Sequence, residues 1–390
     1  MQLSKNWKVG NLNTCVAQIV KKMLNKNKKL TAVSLFSGCG GLDLGFIKAG
    51  FDIIWANDNS KNACDSYKKN LGNNIICKSI LEINLKNIPH SDIVIGGPPC
   101  QGFSCIGKRN PNDKRSLLVW NYIDVIKNIK PKVFLFENVT GIKSAISNDG
   151  SKIIDNLIIA FKEIGYHINL YTLNAADYGV PQRRKRVFII GNKMGINITP
   201  PNETHSEKGN HLKKWVSSFE AISDLPSPVI NGKVNYLKNS DCDYQKFIRN
   251  GAKSTTLHFP AHISKKEEEI IPFIKQGGNY MDVPDSVATQ RILNYKTLGG
   301  RTTTYGRLDP KMPAYTLSTS FNKIAIGCNI HYDENRVLTV REGLRLQSFP
   351  DDFEIVSSSI LDFYAQVGNA VPPLLGYAWA KKIKEIILDK

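Results

Sequence analysis

No stretch of this chain approaches the roughly 20 consecutive apolar residues needed to cross a bilayer, so a membrane-spanning function is excluded from the expectations. Cysteine is present but never paired in a CxxC: Cys15, Cys39, Cys64, Cys77, Cys100, Cys105, Cys242 and Cys328 are scattered. That pattern excludes a zinc ribbon and a disulfide scaffold, and it predicts free thiols in a reducing cytoplasm. His258 and His262 stand four apart, but Pro260 lies between them and no acidic or cysteine ligand follows closely, so no metal site is expected. Residues 1–30 are basic and polar, with only 16–24 resembling a helix, and no secretory leader is expected there. There is no internal repeat and no long low-complexity tract. Acidic residues are in deficit, 34 against 52 lysines and arginines, and the net charge of +18 favours a polyanionic partner. A generally lysine- and asparagine-rich composition would produce part of that excess without any partner.

What is present is an alternation. Short continuous apolar runs at 92–95 and 133–136 have the character of strands buried on both faces. Further strands are predicted at 31–36, 51–56, 168–173 and 187–190, and helices at 42–49, 61–70, 117–129 and 153–164. Strands alternating with helices in this way predict an α/β fold built on a doubly wound sheet. After Gly191 the chain turns polar and rich in glycine, proline and lysine, and regular structure is hard to place until 341–347. A largely helical segment closes the chain at 363–387. The predicted domains are therefore 1–191, an inserted smaller unit over 192–362, and a return to the first domain over 363–390.

Two turns carry chemistry. Gly96-Gly97-Pro98-Pro99-Cys100-Gln101 follows an apolar run, so a strand leads into a turn stiffened by two prolines with a cysteine at its tip. A bland turn accounts for the glycines and prolines but not for the thiol, which makes Cys100 a candidate nucleophile. Phe36-Ser37-Gly38-Cys39-Gly40-Gly41 sits at a predicted strand-to-helix junction, where glycines let the backbone approach a ligand and the helix offers free N–H groups. Its spacing is not the G-x-G-x-x-G of dinucleotide sites. Asp58 lies at the end of the second predicted strand, where nucleoside-binding α/β folds place an acid for ribose hydroxyls.

The motif Pro98-Pro99-Cys100-Gln101 resembles the nucleophile motif of the bacterial DNA (cytosine-5) methyltransferases of restriction-modification type. Other motifs stand in that family's order: Phe36 to Gly41, Glu137-Asn138-Val139, Gln182-Arg183-Arg184-Lys185-Arg186, Arg341 to Pro350, and Gly368-Asn369-Ala370-Val371-Pro372-Pro373. The resemblance implies a Rossmann-like sheet with S-adenosylmethionine as cofactor and an inserted target-recognition segment over about 192–305. It implies a thiolate of Cys100 adding to carbon 6 of a flipped-out cytosine in double-stranded DNA. Glu137 would protonate or hydrogen-bond N3, Arg184 would hold O2, and Arg186 would support the site. Along an extended segment Arg184 and Arg186 share one side, and Arg183 and Lys185 the other. The cofactor residues implied are Phe36, Gly38, Gly40, Gly41, Asp58, Asn59, Ser79, Ile80, Pro98, Leu118, Asn369 and Val371. Asp58 replaces a more usual glutamate, Asn59 a more usual apolar or aromatic residue, and Ser79 a more usual aspartate. DNA contacts are expected from Gln101, Ser104, Lys108, Arg109 and Arg183. A monomer is the default state, and a cognate restriction endonuclease on the same site is left open. Two other readings remain: a transfer-RNA cytosine-5 methyltransferase, against which the long insert argues, and a silent DNA-binding homologue. The latter would be expected to lose Cys100, Glu137 or Arg184.

Overall fold

The computed structural model describes residues 29–99, 114–147 and 150–389. In its first part, strands β1 (Thr31–Leu35), β2 (Asp52–Asp58), β3 (Ile75–Cys77), β4 (Ile93–Gly96), β5 (Val133–Val139) and β6 (His167–Asn174) precede the two-residue β7 (Gln182–Arg183) and β8 (Lys185–Asn192). Helices α1 (Gly41–Lys48), α2 (Lys61–Leu71), α3 (Lys114–Ile129) and α4 (Ile153–Glu163) fall between them. Seven strands form one sheet in the order β3-β2-β1-β4-β5-β8-β6. β8 runs antiparallel to both of its neighbours, while the rest of the sheet is parallel.

Side-chain alternation divides each strand between two cores. Ala32, Ile93, Ile95, Val133, Leu135, Phe188 and Ile190 face one layer, with Leu42 and Phe46 of α1 and Tyr67 of α2. Val33, Leu35, Val94, Phe134, Phe136, Val187 and Ile189 face the other, with Tyr122 of α3 and Leu157 and Phe161 of α4. The chain winds outward from β1 through β2 to β3 and then returns to β4 and β5. The crevice beyond the carboxyl ends of β1 and β4 is therefore the switch point at which such sheets bind ligands.

Beyond β8 the chain stays on the first core as far as Ile198. It then builds short helices α5 (Ser218–Ile222), α6 (Asp243–Arg249), α7 (Lys265–Ile270), α8 (Gln290–Leu298) and α9 (Val340–Leu346), joined by paired two- and three-residue strands. The closing helical segment is two helices, α10 (Ile360–Asn369) and α11 (Pro373–Leu388). Tyr364 and Val367 of α10 are buried in the core of the second unit with Leu344 and Phe353. Trp379 and Ile383 of α11 are buried in the first. The chain thus passes from one core to the other near residue 370. Pro372 and Pro373 cause the break, since proline cannot continue the preceding helix but suits the first turn of the next. α11 packs closely on α1, and a Cβ on Gly45 would lie 2.5 Å from the Pro373 carbonyl.

Candidate active site

A cavity of about 420 Å³ opens at the switch point. Phe36, Gly38, Asp58, Asn59, Ser79, Ile80, Pro98, Leu118, Glu137, Arg184, Arg186, Asn369 and Val371 all line it. Three of the five residues after β1 are left-handed: Phe36 (φ 54°), Gly38 (φ 55°) and Gly40 (φ 94°). Phenylalanine in that region is strained, and such strain is stored where the surroundings over-determine it. Asp58 supplies part of that constraint. Its Oδ2 accepts the Gly38 N–H at 2.8 Å and its Oδ1 the Ser60 N–H at 2.9 Å, tying the turn to the start of α2. Burial pushes the Asp58 carboxyl upward, and the backbone amides oppose it.

Gly40 and Gly41 do not line the cavity. A Cβ on Gly40 would run into Leu71, and one on Gly41 into the Val371 carbonyl and the Phe349 ring. Both are small so that α2 and the 371–373 turn can approach. One functional candidate escaped the sequence. Asp43, fully buried below the glycine turn, accepts hydrogen bonds from Ser34 Oγ at 2.7 Å and the Tyr67 hydroxyl at 2.9 Å. Burial pushes its carboxyl up to about 6, against the pull of those two bonds. In the sequence it is only an acid in a helix's first turn, a commonplace position.

On the other side of the switch point, β5 continues through Glu137 to Val139, so Glu137 projects from within the strand. Its carboxylate pairs with Arg186 Nε at 2.9 Å, both side chains about one-tenth exposed. Burial raises the Glu137 pKa, while Arg186 and Arg184 moderate the rise. Asn138 Nδ2 donates to the Pro98 carbonyl at 3.0 Å and so pins the turn that leads to Cys100. Gly97 backs the carboxylate so closely that a Cβ there would stand 2.6 Å from Glu137 Oε2. Cys100 itself lies outside the described residues, as do Gln101, Ser104, Lys108 and Arg109.

The alternation expected over 183–186 is present: Arg184 and Arg186 are buried, Lys185 is exposed and Arg183 is half-buried. The two buried arginines have different partners. Arg184 is 1% exposed, and its guanidinium donates to the carbonyls of Leu317 (3.2 Å), Gly368 (2.7 Å) and Ala370 (3.0 Å). It binds the two cores together, and its Nε is buried without a hydrogen-bond partner. Arg186, not Arg184, carries the hydrogen bond to Glu137. His258 is also accounted for: Nδ1 meets Thr339 Oγ1 and Nε2 the Pro226 carbonyl, both within hydrogen-bond distance, inside the second core.

Residues 30–385 match the family described as C-5 cytosine-specific DNA methylase. The type II methyltransferase M.NgoFVII of Neisseria gonorrhoeae is 36% identical over 378 residues, which is 95% of this chain and 90% of that protein. M.FnuDI of Fusobacterium nucleatum, also a type II methyltransferase, is 36% identical over 92% of this chain and 95% of its own length. Among solved structures, an E. coli prophage protein assigned as a DNA modification methyltransferase superposes with a TM-score of 0.69 at 25% identity, covering 92% of this chain and 99% of its own. The methyltransferase EhMeth of Entamoeba histolytica, at 16% identity and a TM-score of 0.57, shares the fold. Since the family match runs through both cores and the cavity between them, the chain belongs to the C-5 cytosine-specific DNA methylases and is a DNA cytosine-5 methyltransferase.

Proposed function

We propose that this enzyme methylates carbon 5 of a cytosine flipped out of duplex DNA, with S-adenosylmethionine as donor and Cys100 as covalent nucleophile. The observation that carries the proposal is the buried Glu137–Arg186 pair in the wall of a cavity whose far end is the glycine turn. The cavity suits the cofactor. A Cβ on Gly38 would meet nothing within 4 Å, which leaves open space beside the turn for a ligand. Asp58 keeps unused lone pairs beside the two amides it accepts, for ribose hydroxyls. Asn59, Ser79, Ile80 and Leu118 would surround the base of the nucleoside, with Phe36, Pro98, Asn369 and Val371 closing the remaining walls. Bound there, the cofactor supplies an electrophilic methyl group.

The protein's own residues make the cytosine reactive. Cys100, as thiolate, bonds to carbon 6, and the displaced electron pair moves through the ring so that carbon 5 becomes the nucleophile. Glu137, held toward its protonated form by burial, serves N3, and Arg186 serves the carbonyl oxygen O2 while fixing Glu137. Once carbon 5 carries the methyl group, its proton leaves to water and the carbon–sulfur bond breaks, which restores the thiolate. The two cores would close on DNA between them, with 192–305 as the target-recognition segment. Protection of DNA from a cognate endonuclease and action as a monomer belong to the same proposal.

The test is transfer of labelled methyl from S-adenosylmethionine to unmethylated genomic duplex DNA, with bisulfite sequencing of the product and transfer RNA in parallel. Carbon-5 methylcytosine in one short DNA context is the expected result. Label on transfer RNA alone would replace the DNA substrate. Silence on both, with the cofactor bound, would leave a binding protein.

A further inference from the structure

Arg183, one of the residues expected from the sequence to contact DNA, lies next to the cavity-lining Arg184. β7 pairs in parallel with the strand Ala314–Tyr315 of the second unit, placing Arg183 opposite Tyr315. The guanidinium carbon sits 4.0 Å from the centre of the Tyr315 ring. Thr316 Oγ1 donates to the Arg183 carbonyl at 2.8 Å, and the Ala314 N–H to the Pro181 carbonyl at 3.0 Å, so the pair is held from both sides. Tyr315 is 42% exposed and Thr316 is exposed too. Arg183 forms no ion pair among the described residues, and its Nε is buried without a hydrogen-bond partner.

An arginine stacked on an aromatic face has its planar fork fixed before any ligand arrives. That arrangement matches an oxyanion with two oxygens to offer. The next residue, Arg184, lines the cavity from the other side of the same segment, so the stacked pair stands behind the cavity wall, at the border where β7 meets the strand of the second unit. An anion at that border, for an enzyme acting on DNA, is a backbone phosphodiester. We infer that Arg183 and Tyr315 form a preorganised clamp for the DNA backbone where the two units meet, with Tyr315 as the platform that fixes the guanidinium. The inference rests on the DNA reading of the site. It adds Tyr315, a small-domain residue outside every motif singled out in the sequence, as a positioning residue.

The full chain and the variants Arg183→Ala, Arg183→Lys, Tyr315→Ala and Tyr315→Phe would be titrated against a fluorescent mixed-sequence duplex over a salt series. Cofactor binding would be followed by calorimetry. Loss of one phosphate contact should lower the slope of log affinity against log salt by about 1 in Arg183→Ala. Arg183→Lys should keep the slope but bind more weakly. Tyr315→Ala should lose roughly threefold in affinity and Tyr315→Phe nothing, because the ring face is what the guanidinium uses. Cofactor affinity should hold throughout. An unchanged slope in Arg183→Ala overturns the clamp. So does a fall in melting temperature and cofactor affinity that accompanies every loss of DNA binding, which would make the stack a brace between the cores. Methyl transfer by the unaltered chain to genomic DNA separates the two levels. Transfer with an unchanged Arg183→Ala slope removes the clamp alone, whereas no transfer by the unaltered chain removes the function beneath it.

Discussion

Gly97→Ala places one methyl group behind the Glu137 carboxylate and nowhere else. Gly97 is not among the residues with a left-handed φ, so alanine meets no backbone penalty and the perturbation is steric. The new Cβ would stand 2.6 Å from Oε2, and ordinary contact begins at 3.4 Å, so the carboxylate must retreat by about 0.8 Å. It can do so cheaply, because Oε2 is the end of a flexible side chain. The stability cost should stay near 1 kcal/mol, the low end for added volume in a packed site. Catalysis is less forgiving. The retreat draws Oε1 away from Arg186 Nε, now at 2.9 Å, and a misplacement of about 1 Å costs on the order of 100-fold in rate, or about 2.7 kcal/mol. Loss of the arginine contact also raises the Glu137 pKa further, since Arg186, with Arg184, moderates it. Single-turnover methyl transfer to duplex DNA would read the rate, calorimetry the cofactor affinity, and a thermal melt the fold. The expected result is a slow enzyme that binds its cofactor and melts nearly as the unaltered chain does. A single-turnover rate close to that of the unaltered chain, in a properly folded variant, would refute the claim that Glu137 acts from this position.

Cys100→Ser should abolish methyl transfer while leaving DNA binding largely intact; transfer by the serine variant would remove the thiol from the mechanism. Glu137→Gln should slow single-turnover transfer severely with little change in cofactor affinity by calorimetry, and an unchanged rate would exclude it as the group at N3. Arg184→Met leaves three buried carbonyls without their donor and should cost at least about 3 kcal/mol in a denaturant titration, whereas Arg186→Met should cost mainly rate. Asp43 sets a pH dependence of stability. Its folded pKa of about 6 lies above the ordinary 3.8, so the native state holds this proton longer than the unfolded chain, and stability falls as pH rises from about 4 to 6. The fall should amount to about 3 kcal/mol, and melts across that window should show a flatter profile in Asp43→Asn.

The sheet was legible because its physics is local. Strands such as 133–136 are buried on both faces, so their apolar runs are continuous, and helices such as 153–164 carry one apolar stripe each. β3 was not legible: three residues, Ile75 to Cys77, with Ile76 exposed, offer too little pattern to distinguish from loop. The second unit hid for the same reason. Its two-residue strands have no period, and its core is assembled from residues as far apart as Val216 and Val367. The break between α10 and α11 was written in Pro372-Pro373, but which core each helix joins depends on partners that no local pattern names.

The buried arginines mark the limit most clearly. Alternation along 183–186 puts Arg184 and Arg186 on one side, and nothing in the five residues says which of them reaches the carboxylate. The answer comes from three carbonyls far along the chain, those of Leu317, Gly368 and Ala370, which converge on Arg184 when the two cores meet. A guanidinium so engaged is a strut. Arg186 lies two residues further along the same side, opposite Val139 on β5, and there the adjacent strand offers Glu137 as its partner. One arginine therefore joins the two cores and the other pairs with the buried carboxylate. The distinction is set by which distant backbone fills the space around each side chain, and that is a property of the closed fold rather than of the motif.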